Sequence, residues 1–259
     1  MNKKLIFMDL DGTIIDHSQD WIPPSTKRTI QRLKAAGHMV VIATGRPPCL
    51  FYGIEKTLDV HTYIAANGRF IKHQGETLLN EGIDQPLVKR FVETMDKEGF
   101  EVGFETETDY IVHRIRTDLP EKFSNYFHLE SPREDSTAYQ KQSILQMILF
   151  TENHALAPLL ERFPEFSFNV SCPYGIDVNQ AGGMKEVGMR MLRAYLDVKA
   201  EDTIAIGDGF NDIGMIKEAA LGIAMGNACD ELKAVADEVT DDCDKDGIEK
   251  AFKKLGMIE

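Results

Sequence analysis

Short apolar runs recur along the chain, and several of them stop at glycine and acidic or amide residues. Leu5-Ile6-Phe7-Met8 runs into Asp9-Leu10-Asp11-Gly12-Thr13, and Met39-Val40-Val41-Ile42-Ala43 into Thr44-Gly45-Arg46. Tyr63-Ile64-Ala65-Ala66 meets Asn67-Gly68, and Thr203-Ile204-Ala205-Ile206 meets Gly207-Asp208-Gly209-Phe210-Asn211-Asp212. These runs do not alternate, so they predict strands buried on both faces. Segments of helical period lie between them. One opens at Pro23-Pro24-Ser25, carries Ile30, Leu33 and Ala36 on one face and closes at Gly37. Others cover about Pro48 to Leu58, Lys185 to Leu196, Ile213 to Ala220 and Asp230 to Ala236, with a further strand at Leu221 to Met225. Residues 69–82 predict a hairpin turning at Gln74-Gly75. Strand, helix, strand in repetition is the pattern of an α/β fold with a doubly wound parallel sheet, a Rossmann-like core.

The texture changes near Gly82. Pro86 to Glu98 is amphipathic, with Leu87, Phe91, Val92 and Met95 on one face; Glu101 to Arg116 alternates as strands; Ser143 to Thr151 reads as a strand and His154 to Phe163 as a helix. The expected organisation is a core of residues 1–82 and 182–259 with an inserted α+β cap domain at 83–181, and Gly182-Gly183 as the return hinge.

Composition narrows the partners. Lys plus Arg total 29 against 42 Asp plus Glu, a net charge of -13. Such a surface disfavours nucleic acid and anionic membranes, so any phosphorylated ligand must be met by locally concentrated cations. Cys49, Cys172, Cys229 and Cys243 are dispersed without a C-x-x-C, which predicts free thiols. The first apolar run is interrupted by Asp9 and no uncharged stretch is long enough to span a bilayer, so the expected location is the cytoplasm.

Two aspartates one residue apart at a strand end repel one another unless a cation joins them. Mg²⁺ prefers hard oxygen ligands and takes one or two carboxylates together with phosphate oxygens, so phosphate chemistry is the first expectation. Ligands of open parallel sheets sit outside the carboxyl ends of the strands, where Asp9, Asp11, Thr44, Asn67, Asp208, Asn211 and Asp212 all fall. Gly207-Asp208-Gly209 begins like a dinucleotide loop but lacks the third glycine and would set acids against a pyrophosphate. Asp242 to Gly247 matches half a calcium loop, yet the twelfth position is Lys253. His73 and His113 show no ligand spacing and are expected at the surface.

The ordered set Asp9-x-Asp11-Gly12-Thr13, Thr44-Gly45, Lys185 and Gly207-Asp208-x-x-Asn211-Asp212 resembles the four motifs of the haloacid dehalogenase superfamily. The position of the insert, Asn67-Gly68 and Met225-Gly226-Asn227-Ala228 is similar to the Cof-type phosphatases with a large α+β cap, over essentially the whole chain. The resemblance implies Asp9 as nucleophile, forming an aspartyl-phosphate, and Asp11 as acid and then base. It implies Mg²⁺ held by Asp9, Asp208 and the Asp11 carbonyl, with Asp212 behind them. Leu10, Thr44, Gly45, Lys185 and Asn211 would hold the phosphoryl oxygens. Glu186 follows Lys185 where the family commonly has glycine, which puts the packing of that helix turn in question.

Arg46, Asn67, Arg114, Arg116 and Asp177 are candidate substrate or cap contacts; Arg114 and Arg116 are expected on one strand face. The function expected is a Mg²⁺-dependent phosphatase of small phosphorylated metabolites, sugar phosphates foremost, closed by a mobile cap and acting as a monomer or weak homodimer. A phosphomutase using the same aspartyl-phosphate and a non-catalytic phosphometabolite-binding module are the alternatives.

Overall fold

A computed structural model describes residues 3–16, 22–127, 129–182 and 185–259. Gly183 of the expected hinge lies outside the described residues. The chain forms two compact units, one of residues 1–46, 53–79 and 184–259 and one of residues 47–52 and 80–183.

The first unit is built on an eight-stranded sheet in the order Glu238–Val239, Leu221–Ala224, Thr203–Gly207, Leu5–Met8, Met39–Ala43, Thr62–Ala65, Phe70–His73, Glu76–Asn80. Its first six strands are parallel, and the Phe70–His73 strand turns antiparallel to Thr62–Ala65. The strand order reverses on either side of Leu5–Met8, and its two parallel neighbours put the ends of Leu5–Met8, Met39–Ala43 and Thr203–Gly207 on one edge. Ile6, Phe7, Met8, Val41, Ile42 and Ile206 are fully buried, as a sheet covered on both faces by helices requires. The helix Pro24–Ala35 lays Ile30 and Leu33 on the sheet and begins with proline, whose missing N–H costs nothing at that position. The expected helix over Pro48 to Leu58 is instead a 3₁₀ turn at Pro48–Leu50 and one short helix at Ile54–Thr57. Gly53 between them takes a left-handed φ of 73°, which no continuous right-handed helix contains.

The second unit carries a six-stranded sheet in the order Phe166–Cys172, Gly175–Gln180, Gln146–Phe150, Glu101–Glu105, Tyr110–Val112, Arg133–Glu134. The helix Gln85–Lys97 buries Val88, Phe91, Val92 and Met95 on one face of this sheet, with Phe91 edge-on to Phe163 and Phe166 at 5.0 and 5.5 Å. On the other face Phe123, from the helix Leu119–Tyr126, packs with Val112, Ile148, Phe150 and Cys172.

Two expectations for this unit are corrected. Arg114 and Arg116 lie beyond the strand, which ends at Val112, and both guanidinium groups bind Asp96, at 2.7 and 2.5 Å. His113 is 7% exposed, enclosed by the rings of Phe104 and Tyr139 rather than set at the surface. Asp177 is half-buried on the strand Gly175–Gln180, where burial pushes its carboxyl up to about 7 against a hydrogen bond with Ser171. Among the described residues no helix is long and apolar enough to cross a membrane.

Candidate active site

The site grows from the carboxyl edge of the parallel sheet. Asp9 follows the Leu5–Met8 strand directly, and its N–H donates to the carbonyl of Ile206 at 3.0 Å, which carries the ladder one residue past the strand. The chain then turns: the Leu10 carbonyl accepts from the N–H groups of Ile14 and Ile15 at 3.0 and 2.8 Å, and Gly12 takes a φ of 77°. No side chain fits at Gly12, because a Cβ there would lie 2.3 Å from the Asp208 carboxylate. The turn therefore brings the Asp9 loop against the end of the Thr203–Gly207 strand.

Lys185 begins the helix Lys185–Tyr195 and is fully buried. Its ammonium group donates to Asp9 Oδ1 and, at 2.6 Å, to Asp212 Oδ1. The other oxygen of Asp212 accepts from the backbone N–H groups of Asp208 and Gly209 at 3.0 and 2.9 Å. Asp212 is thus occupied on both sides and shapes the loop that carries Asp208. Thr13, fully buried, donates its hydroxyl to Asp208 Oδ1 at 2.8 Å.

Three carboxylates around one lysine set the electrostatics. Burial holds the Asp9 carboxyl well above the usual range, the charge of Asp212 adds to this, and Lys185 opposes it. Burial also pushes Asp208 up to about 6, with the Thr13 hydrogen bond opposing. Desolvation works to lower the Lys185 pKa, but the charges of Asp212 and Asp9 outweigh it and the ammonium form is favoured. One oxygen from each of Asp9, Asp208 and Asp212 lies within 4.8 Å of the other two. An all-carboxylate donor set, with Asp9 and Asp208 raised first by burial and then by neighbouring carboxylate charge, fits a small hard divalent cation. With all three carboxylates ionised, Lys185 leaves two negative charges uncompensated, which a divalent cation would balance.

The second strand end approaches the same cluster from the side. The Thr44 N–H donates to the Ile64 carbonyl at 2.9 Å, the Arg46 N–H donates to Thr44 Oγ1 at 3.1 Å, and the Asn67 N–H donates to the Thr44 carbonyl at 3.1 Å. Asn211 Nδ2 donates to Asn67 Oδ1 at 3.0 Å, and a Cβ on Gly45 would stand 3.2 to 3.4 Å from these two amides. Gly45 thus leaves the amide pair room beside the Thr44 loop. Arg46 forks onto Asp11: Nε donates to Oδ2 at 2.8 Å and Nη2 to Oδ1 at 2.5 Å.

Of the positions singled out from sequence, Asp9, Leu10, Asp11, Thr44, Gly45, Arg46, Asn67, Lys185, Asp208, Asn211 and Asp212 fall within the first unit and share this edge of its sheet. Arg114, Arg116 and Asp177 belong to the second unit. Glu186 finds its room elsewhere: its carboxylate lies over Gly214, where a Cβ would be 2.2 Å away. The glycine needed at this crossing sits on the neighbouring helix Ile213–Glu218. Two contributors, Asn227 and Cys243, were noted in the sequence without a role at the site. Asn227 Nδ2 donates to the Gly12 carbonyl at 2.8 Å while its Oδ1 accepts from the Cys243 N–H at 2.9 Å, and Cys243 Sγ lies 3.1 Å from the Thr13 carbonyl. The signal available for Asn227 was its place after a buried strand, in Met225-Gly226-Asn227-Ala228.

A haloacid dehalogenase-like hydrolase family model matches residues 6–252. The chain belongs to this family. YkrA of Bacillus subtilis (strain 168), which carries a provisional phosphatase name, is 35% identical over 261 residues, covering 100% of both chains. The 5-amino-6-(5-phospho-D-ribitylamino)uracil phosphatase YcsE of the same organism is 28% identical and covers 96% of this chain, with 94% of its own length matched. Among solved structures, the subclass IIB sugar phosphatase BT4131 superposes with a TM-score of 0.83 at 31% identity, covering 99% of this chain and 100% of that one. The family member described here is an enzyme of the phosphoric monoester hydrolase class, with a parallel-sheet core and a second sheet, as its relatives lead one to expect.

Proposed function

We propose that the chain is a Mg²⁺-dependent phosphatase of small phosphorylated metabolites, sugar phosphates foremost, working through an aspartyl-phosphate on Asp9. The observation that carries this reading is Asp9 itself: a buried carboxylate in contact with a buried lysine, with two further acids close by and Asp11 two residues on. A site meant only to bind phosphate gains nothing from a carboxylate at its centre, whereas a carboxylate that attacks phosphorus splits a slow hydrolysis into two easier displacements. The names of relatives support the substrate class: one acts on a phosphoribityl-aminouracil and one is a sugar phosphatase.

In this reading Asp9 attacks phosphorus while the bond to the leaving oxygen breaks, and Asp11 gives that oxygen its proton. Water then attacks the acyl phosphate with Asp11 as base. The Thr44 hydroxyl, the N–H groups of Leu10 and Gly45, the Lys185 ammonium and the Asn211 amide hold the phosphoryl oxygens through both steps. Asp9, Asp208 and the Asp11 carbonyl would hold Mg²⁺, with Asp212 buttressing Asp208. Bound there, the ion supplies the positive charge that lets a carboxylate approach a phosphate dianion.

A screen of phosphorylated metabolites with Mg²⁺, scored by phosphate release, tests the substrate class; a flat response across sugar phosphates removes it. Asp9→Asn should abolish turnover of p-nitrophenyl phosphate, and retained turnover excludes Asp9 as nucleophile. Phosphate release without an isomerised sugar phosphate separates hydrolysis from mutase chemistry.

A further inference from the structure

Arg46 takes up both oxygens of Asp11, one through Nε and one through Nη2. The fork is built from below. The Arg46 N–H is fixed on the Thr44 hydroxyl, and the Arg46 carbonyl accepts from the Ala66 N–H at 3.0 Å. Ala66 and Asn67, which hold this loop, take left-handed φ values of 48° and 51°; asparagine adopts this region readily, whereas alanine keeps it only where its surroundings impose it. On the other side the Asp11 backbone sits in the turn closed by the Leu10 carbonyl. Two anchored backbones thus meet through one bidentate pair, the geometry in which arginine gives orientation as well as attraction.

A carboxylate with both oxygens accepting from a guanidinium is an acceptor, and each oxygen keeps a second lone-pair site for another proton donor. We infer that Arg46 is a positioning residue for Asp11 in the second half-reaction, a role that rests on the aspartyl-phosphate reading above. In that step a water oxygen attacks the phosphorus carried by Asp9, and one water proton passes to the Asp11 carboxylate. The bond between phosphorus and Asp9 breaks, its electron pair returns to the Asp9 carboxylate, and inorganic phosphate leaves. Arg46 acts through Asp11 and need not touch the substrate.

Rapid-mixing kinetics with p-nitrophenyl phosphate isolate this step, because nitrophenolate leaves without a proton. Arg46→Gln removes charge and fork; Arg46→Lys keeps the charge and loses the fork. The expected result for Arg46→Gln is a turnover about 10 to 100-fold slower, preceded by a burst approaching about one nitrophenol per enzyme, with acid-quenched protein carrying phosphate. Arg46→Lys should fall between Arg46→Gln and the parent. Melting curves of both variants in Mg²⁺ establish that they are folded. A raised KM with unchanged kcat overturns the inference in favour of direct substrate binding by Arg46. A slower turnover with neither burst nor phosphoprotein also overturns it, since the second step would then not be the one impaired. Either result with an active, Asp9-dependent parent removes the inference alone. A parent whose turnover does not depend on Asp9 removes the proposed function and the inference with it.

Discussion

Replacing Lys185 with methionine removes the buried cation that pairs with both Asp9 and Asp212, whose side chains are 7% and 0% exposed. Breaking a buried ion pair by deleting one partner costs about 3–5 kcal/mol, because the surviving charge stays buried. Here part of that cost is relieved. Asp9 and Asp208 already stand above the usual carboxylate range, so one of them takes up a proton in the variant, at about 1.4 kcal/mol for each unit between pH and pKa. The lower end, about 3 kcal/mol, is the expected loss at neutral pH, and at about 2–4 °C per kcal/mol for a chain of this size the melting temperature falls by about 6–12 °C. The pH dependence has a definite sign. Asp9 and Asp208 have folded-state pKa values raised above the unfolded 3.8, so the protonated forms favour the fold and that contribution is lost as pH rises through the folded values, about 6 for Asp208. The deficit of Lys185→Met in EDTA should therefore be smaller at pH 5.5 than at pH 8. On the proposed function Mg²⁺ would bind the folded cluster and not the unfolded chain, contributing about 2.7 kcal/mol at a hundredfold excess over its dissociation constant, so it should recover part of the loss. Thermal melting in EDTA at both pH values, then in Mg²⁺, reads all three effects. A variant melting with the parent in EDTA at pH 8, or a deficit that grows toward acid, refutes the reasoning.

Gly12→Ala forces a Cβ onto the Asp208 carboxylate at a φ of 77°, so the Mg²⁺-induced rise in melting temperature should shrink and kcat/KM for p-nitrophenyl phosphate fall at least about tenfold; a parent-like metal response would show that the loop yields freely. Burial lowers the His113 pKa below the unfolded 6.5, so the neutral ring favours the fold and stability is lost as pH falls below that value, by at most about 1.4 kcal/mol per unit. Raised carboxyls such as Asp208 pull the other way over this range, so the readout is the difference: between pH 7.5 and 5 the parent should lose denaturant stability relative to His113→Gln, and a difference that stays constant counts against the assignment. Phe91→Ala empties a fully buried ring site between Phe163 and Phe166 and should cost the second unit about 3–5 kcal/mol, read by calorimetry; a loss under about 1 kcal/mol would mean the neighbouring rings collapse into the space.

Much of the fold is legible in the sequence because its cues are local. The unalternating runs at Leu5–Met8, Met39–Ala43 and Thr203–Gly207 are strands since only a sheet covered on both faces buries such segments, and the proline-started Pro24–Ala35 helix follows from its own period. What failed was set by partners distant in sequence. The Pro48 to Leu58 pattern looked continuous, but Tyr52 and Gly53 turn left-handed within it. Phe166–Cys172 and Gly175–Gln180 went unread because their polar residues obscure the period, yet the first pairs with the second and the second with Gln146–Phe150. Alternation alone placed Arg114 and Arg116 on a strand face; Asp96, on another element, draws both guanidinium groups to itself past the strand's end.

The candidate site divides along the same line. By itself the sequence determined which strand ends carry acids, hydroxyls and amides, because a strand ending in Asp9-Leu10-Asp11-Gly12 declares its chemistry within a few residues. Only the tertiary structure decided which of those groups meet. Lys185 reaches Asp9 across 176 positions, and Thr13 reaches Asp208 across 195. Asn227 ties the Gly12 loop, Gly214 makes room for Glu186, and Arg46 closes on both oxygens of Asp11. A side chain's type fixes what it can donate or accept. Which partner it finds depends on the packing of elements far apart in the chain, and no local pattern encodes that.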